Sequence, residues 1–216
     1  MEIGKYIDHT NLKMEATSKD IAKLREEAIE YGFETVCVNP CYVNLAKELL
    51  ENTNIGVCTV IGFPLGTSTP KVKQYEAIDA VENGADEIDM VINVGALKDK
   101  DYDYVKKEIE EIRDAIDGKI LKVIIETALL TKEEIIKMTE ICNETFVNFI
   151  KTNTGFSQRG VTLEDVQIIN EYKNEVLEIK ASGGVTTFKQ MDELIKAGAS
   201  RIGTSHSVEI VKEIKN

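Results

Sequence analysis

Residues 120–151 read ILKVIIETALLTKEEIIKMTEICNETFVNFIK, and their rhythm decides the fold. A β-branched run, ILKVIIET, gives way to the amphipathic segment TKEEIIKMTEICNE and then to a second apolar run, FVNFIK. The middle segment repeats apolar residues at helical spacing, and Thr131 with Glu134 three residues on marks a capped helix start. The flanking runs are short and β-branched, so they read as strands. Two strands joined by a helix make a βαβ unit with parallel strands and a right-handed crossover.

The same unit recurs along the whole chain. YIDHT precedes SKDIAKLREEAIEYG, FETVCVN precedes CYVNLAKELLEN, IGVCTVIG precedes KVKQYEAIDAVENGA, and EIDMVIN precedes DYDYVKKEIEEIRDAIDG. After the opening stretch come FVNFIKT with TLEDVQIINEYKN, LEIKAS with TTFKQMDELIKAG, and RIGTS with HSVEIVKEIKN. Thr162 with Asp165 repeats the capping pattern, and Gly32, Gly84 and Gly198 fall where helices should stop. Eight βα units suit an α/β fold of the (β/α)8 TIM barrel type, one domain over residues 1–216. An open doubly wound sheet is the alternative. It would usually carry a glycine-rich turn after the first strand, and HTNLK there has no glycine.

Composition narrows the function. A chain of 216 residues can bury one sizeable core. The net charge of −12 argues against a nucleic-acid groove, which needs a basic face, and fits a cytoplasmic protein. No apolar run approaches the ~18 residues of a membrane span. MEIGKYIDHT lacks the basic and apolar regions of a signal peptide. Cys37, Cys41, Cys58 and Cys142 form no CxxC, and the histidines are His9 and His206 alone. That pattern speaks for reduced thiols and against structural zinc.

Side chains alternate along a strand, and in a barrel one set must be apolar to face the helices. Ile88, Met90 and Ile92 form that set in the fourth strand, which turns Asp89 inward. The same parity turns Lys122 and Glu126 inward from the fifth strand, Lys151 from the sixth, and Glu178 and Lys180 from the seventh. It turns Cys37 and Asn39 inward from the second strand and Asp8 from the first, and leaves His9 outward with a structural hydrogen bond. Glu87, Glu178 and Arg201 are expected to form an ion network at the barrel floor. The remaining set, Asp8, Asn39, Asp89, Lys122, Glu126, Lys151 and Lys180, lies toward the C-terminal ends of the strands, where active sites of this fold sit. The bland alternative is a self-satisfied salt-bridge network.

Lys151 and Lys180 end neighbouring strands about 4.8 Å apart. Crowding and desolvation both lower an amine's pKa, and a neutral lysine attacks carbonyls to form a Schiff base. The resulting iminium is an electron sink for carbon–carbon cleavage, with Asp89 placed to move protons. Lys122 and Glu126 are expected to fix the charges around Asp89 and Lys180. The loops KASGGVTT and RIGTSHS follow the seventh and eighth strands, the recurrent phosphate position of the fold. Their glycines let backbone N–H groups approach an anion, and TNTGFSQRG can add Gly155.

FIKTNTGF, IKASGGV, EIDMVINVGALK, LKVIIET, IDHTNLK and VCVNP together resemble the deoxyribose-phosphate aldolase family over nearly the whole chain. The resemblance implies a (β/α)8 lyase that reversibly cleaves 2-deoxy-D-ribose 5-phosphate to acetaldehyde and D-glyceraldehyde 3-phosphate in deoxyribose catabolism. It implies no metal or organic cofactor and is compatible with a homodimer. It assigns Lys151 to the Schiff base, Lys180 to tuning and proton transfer, and Asp89 to a proton relay through water. It maps phosphate contacts onto Gly155, Gly183, Gly184, Gly203 and Ser205. Asn153, His206 and Phe156 depart from the family pattern, with His206 an added phosphate donor on the functional reading. Cys37, as a thiol near an aldehyde site, is a candidate for inactivation by excess acetaldehyde. A keto-acid aldolase, a transaldolase and a silent sugar-phosphate binder remain as alternatives at this point.

Overall fold

The computed structural model describes residues 3–116 and 118–215. Residues 1, 2, 117 and 216 of the expected domain lie outside that description. Eight strands follow one another: β1 (Ile7–Asn11), β2 (Thr35–Val38), β3 (Gly56–Ile61), β4 (Glu87–Val91), β5 (Ile120–Ile124), β6 (Phe149–Lys151), β7 (Glu178–Ser182) and β8 (Arg201–Thr204). All neighbouring pairs are parallel, and β8 pairs back onto β1, so the sheet closes into a barrel in chain order. The open-sheet alternative is thereby ruled out.

The helices are α1 (Ser18–Tyr31), α2 (Val43–Leu49), α3 (Pro70–Glu82), α4 (Val94–Lys98), α5 (Tyr102–Ala115), α6 (Lys132–Glu144), α7 (Leu163–Tyr172), α8 (Phe188–Lys196) and α9 (Ser207–Lys215). Thr131 and Thr162 cap α6 and α7 through full capping boxes with Glu134 and Asp165, as the spacing predicts. Gly32 ends α1 with φ of +67°, a conformation that costs glycine little.

The outward strand residues Val36, Ile88, Met90, Val123, Ile150 and Ile179 belong to one buried cluster shared with the helices. Each such side chain contributes roughly 1.5–3 kcal/mol by leaving water. The barrel interior divides in two. Leu12, Cys37, Cys58 and Val60 make an apolar part, with Phe63 packed against it. Charged residues from β1, β4, β5, β6, β7 and β8 fill the rest. At the floor, the Phe149 ring lies under Arg201 and Lys122, at 5.3 and 6.0 Å from its centroid.

Glu178 departs from the expectation. It is exposed, and its carboxylate accepts a 2.7 Å hydrogen bond from Ser200 Oγ. As the first residue of β7 it sits at the rim, where a carboxylate keeps its water instead of losing it inside. The floor network is Arg201 with Asp8 and Glu87.

Candidate active site

Strand register brings the expected residues together. Asp89 stands opposite Lys122 across β4 and β5, and Lys151 stands opposite Lys180 across β6 and β7. Sharing inward parity, all four side chains converge, and all are buried. Lys151 Nζ and Lys180 Nζ both donate to the same oxygen, Asp89 Oδ2, at 2.8 and 2.6 Å. Lys122 Nζ donates to the other oxygen, Oδ1, at 2.7 Å, and lies 2.5 Å from Glu87 Oε2.

Asp8 joins this centre to the floor. Its Oδ1 accepts from Arg201 at 2.6 Å and from Thr35 at 2.8 Å. Its Oδ2 lies 2.5 Å from Lys180 Nζ, an ion contact whose angle does not make a directed hydrogen bond. Four cations, Lys122, Lys151, Lys180 and Arg201, therefore face three carboxylates, Asp8, Glu87 and Asp89.

The electrostatics follow from that crowding. Burial alone would raise Asp89's carboxyl; the ammonium groups of Lys122, Lys151 and Lys180 override it and hold the group well below the usual carboxylate range. Asp8 is held down in the same way by Lys180, Lys122 and Arg201 against its burial. For Lys180, burial pulls toward the neutral amine, but Asp8 and Asp89 outweigh it and keep the ammonium protonated. This corrects the expectation that crowding lowers both amines: two carboxylates on one lysine exceed the desolvation that the sequence suggested. Lys122 is held charged likewise.

Of the four cations, Lys151 alone reaches the wall of a cavity of about 680 Å³, a size that suits a small ligand. The same wall carries Gly155, Phe156, Gly183, Gly184, Gly203, Ser205 and His206. All five glycine and serine positions expected to hold phosphate thus share one cavity with Lys151. Gly183 and Gly184 take φ of +93° and +76° in succession, which bends the chain after β7 around the mouth. At Gly203 a Cβ would stand 2.9 Å from Lys180 Cε, so a side chain there would push the amine aside.

Two expected supports lie elsewhere, and a third adjoins the centre. Glu126 follows the end of β5 with φ of +54°, which breaks the strand alternation. Its Oε2 accepts from Thr154 N and Oγ1 at 3.1 and 2.5 Å, so it braces the loop after Lys151 and does not touch Asp89 or Lys180. Asn39 lies past the end of β2, half-exposed, and donates to Lys13 O at 3.1 Å. Cys37 is fully buried in the apolar part of the interior, and its Sγ lies within 4.8 Å of Cys58 Sγ and of an Asp89 carboxylate oxygen, so this expected support does adjoin the centre. A hydrogen bond with Cys58 lowers its thiol, and Lys180 and Lys151 add to that against burial. Cys58, which the sequence reading passed over, touches both Asp89 Oδ1 and Lys122 Nζ at 3.2 Å. The alternation of β3, which sets Val57 and Ile61 on the outer face and leaves Cys58 and Val60 for the interior, was the available signal. Asn153 is buried on Thr127 and Ala128, so this departure from the family pattern braces one loop against another, with its Cβ 3.1 Å from where a Cβ on Gly183 would stand.

A (β/α)8 barrel with paired lysines on one aspartate at its C-terminal mouth has the build of a barrel aldolase. The sequence profile of the DeoC/LacD family aldolases matches residues 3–206, and the chain belongs to that family. It is 53% identical over 212 residues to a deoxyribose-phosphate aldolase of Finegoldia magna, covering 98% of this chain and all of the relative. It is 57% identical over 199 residues to that of Metamycoplasma hominis, covering 92% of each. Among solved structures it is similar to QR15, an aldolase, with TM-score 0.95, 42% identity, and coverage of 100% of this chain and 96% of that one. A tetrameric deoxyribose phosphate aldolase from Aeropyrum pernix aligns with TM-score 0.91 at 30% identity, over 98% and 90% of the two chains.

Proposed function

We propose that Lys151 is the nucleophile with which this deoxyribose-phosphate aldolase cleaves 2-deoxy-D-ribose 5-phosphate to acetaldehyde and D-glyceraldehyde 3-phosphate. The observation that carries the reading is the sharing of Asp89 Oδ2 by Lys151 and Lys180, with Lys151 alone opening to the cavity.

The open-chain substrate presents its aldehyde carbon to Lys151 Nζ. Lys151 releases its ammonium proton to water in the cavity, Nζ adds to that carbon, and the carbinolamine hydroxyl takes up a proton and leaves as water, giving an iminium. The C2–C3 bond then breaks: its electrons move toward the iminium to form an enamine, and the C3 hydroxyl loses its proton as it becomes the aldehyde of glyceraldehyde phosphate. Protonation of the enamine at C2 and hydrolysis release acetaldehyde and restore the amine. Asp89, within ion-pair distance of Lys151, is the shuttle for these protons, directly or through a water. Lys180, held protonated beside it, supplies a standing positive charge and a hydrogen bond to the shuttle's carboxylate. Gly155, Gly183, Gly184, Gly203 and Ser205 form the cradle for the phosphate, with His206 beside Ser205 as an added donor.

The chemistry is complete without a metal, and activity should survive EDTA. Borohydride reduction in the presence of acetaldehyde, followed by peptide mass analysis, should find an N-ethyl group on Lys151 and none in Lys151→Ala. An adduct on Lys180 instead would reverse the two roles. Four free cysteines support a cytoplasmic enzyme, and among the described residues no helix is long and apolar enough to cross a membrane. The exposed Val72, Tyr75 and Ile78 on α3 support a homodimer; sedimentation of wild type against Tyr75→Glu tests it.

A further inference from the structure

His9 is the outward residue of β1 beside the cavity, and its two ring nitrogens are both engaged. Nδ1 lies 2.9 Å from Ser207 Oγ, and Nε2 lies 2.9 Å from Glu27 Oε2. The ring is buried, with Phe33 packed against it at 4.8 Å. Ser207 is the first residue of α9 and is fully buried. Its hydroxyl donates to Thr204 O at 3.1 Å. Thr204 in turn donates its own hydroxyl to Val185 O at 2.6 Å and accepts from His206 N at 2.9 Å.

One chain of hydrogen bonds thus runs from Glu27 on α1, through His9, Ser207 and Thr204, to Val185. It passes under both turns assigned to the phosphate. Ser205 and His206 lie between Thr204 and Ser207, and Gly183 and Gly184 directly precede Val185. None of these links touches the lysine–aspartate centre. We infer that His9 is a positioning residue for phosphate: it locks the start of α9 to β8, and through Thr204 it holds the two phosphate turns at a fixed separation.

Each ring nitrogen keeps a partner whichever tautomer the ring takes: Nε2 faces the Glu27 carboxylate and Nδ1 faces the Ser207 hydroxyl, which also reaches Thr204 O. Burial lowers the imidazole below its ordinary value; Glu27, on α1, and Glu209, on α9, oppose the burial, while Lys23 on α1 adds to it.

The inference rests on the phosphate reading, and the test separates the two. Wild type, His9→Phe, His9→Asn and Ser207→Ala are assayed on 2-deoxyribose 5-phosphate and on unphosphorylated 2-deoxyribose, with inorganic phosphate as competitor. His9→Phe keeps the packing and loses both hydrogen bonds. It should raise KM for the phosphorylated substrate on the order of 10-fold, the effect of losing one to two buried hydrogen bonds. The phosphate inhibition constant should weaken in parallel, while kcat and the rate on 2-deoxyribose stay within about 3-fold. His9→Asn, whose amide can replace Nδ1 as the partner of Ser207, should recover most of the loss. Ser207→Ala removes a single hydroxyl and should reproduce the KM effect even where His9→Phe fails to fold. If phosphate does not compete in wild type, the cradle reading falls. If phosphate competes and the variants leave KM and its inhibition constant unchanged, or weaken 2-deoxyribose cleavage equally, the role of His9 is overturned while the cradle stands.

Discussion

Inside the barrel, Lys122, Lys180 and Arg201 each contact at least two carboxylates; between the barrel wall and the helices, Lys73 contacts one. Lys73 on α3 and Glu108 on α5 are both fully buried and pair at 2.7 Å, with Lys73 also donating to Val91 O and Glu108 accepting from Asn93 N. Burial wins on both partners of this pair: Lys73 is lowered and Glu108 raised, each toward its neutral form. Inside the barrel the opposite holds, because neighbouring charges reverse the effect of burial on Asp8, Asp89, Lys122 and Lys180. One counter-ion does not offset desolvation; two or three do. The pair is balanced and sealed, which suits packing. The network holds one more cation than it has carboxylates, and Lys151, with Asp89 as its ion-pair partner, meets the cavity. A surplus amine facing an open space is what carbonyl chemistry requires.

Substitutions can break this contrast at either end. Removing the surplus amine should have the largest effect. Lys151→Ala should lower kcat by about 10⁴-fold or more, the scale of losing a covalent nucleophile. Single-turnover cleavage of deoxyribose 5-phosphate measures it, and near-normal turnover would end the assignment. Lys180→Leu should lower kcat at least ~100-fold while leaving the barrel folded by circular dichroism.

The pair should respond in stability instead. Lys73→Met leaves Glu108 buried without its counter-ion and should cost about 3–5 kcal/mol, whereas the double change Lys73→Met with Glu108→Leu should come close to wild type. Urea titration of the three proteins decides this; a double variant as unstable as the single one would show that the charges are needed and not merely matched.

A smaller effect should appear on acidification. Asp8 and Asp89 are held below the usual carboxylate range when folded, while an unfolded aspartate titrates near ~3.9. Their contribution is therefore complete above that value and is lost as pH falls below about 4, where the unfolded chain takes up protons first. Unfolding free energy from pH 7 to 3 should decline less steeply in Asp8→Asn than in wild type. Equal slopes would mean the decline belongs to surface carboxylates.

The barrel and its centre were legible because a strand has only two faces. Ile88, Met90 and Ile92 had to meet the helices, which left Asp89 for the interior, and the same logic delivered Lys122, Lys151 and Lys180. The rule failed where the strands stop. Glu126 follows a left-handed residue conformation of its own making, and Asn39 begins a turn, so neither obeys alternation. Glu178 has the right parity but sits at the rim, and periodicity carries no depth. Lys73 and Glu108 were invisible for another reason: a helix face reads as polar whether its charge meets water or a partner 35 residues away. The protonated state of Lys180 escaped as well, since it depends on Asp8, which is far away in sequence and adjacent only once β8 closes onto β1.

The Phe149 ring beneath Arg201 and Lys122 has a kinetic consequence. Among the described residues, Phe149 with Arg201 and Lys122 fills the lower end of the barrel, and Lys151 lies deeper than the exposed Gly155, Gly184 and Ser205 at the cavity mouth. A phosphorylated aldehyde anchored there blocks the way in. On the proposed reading, traffic must queue: in synthesis the two-carbon donor enters before the acceptor, and in cleavage the triose phosphate leaves before acetaldehyde can follow.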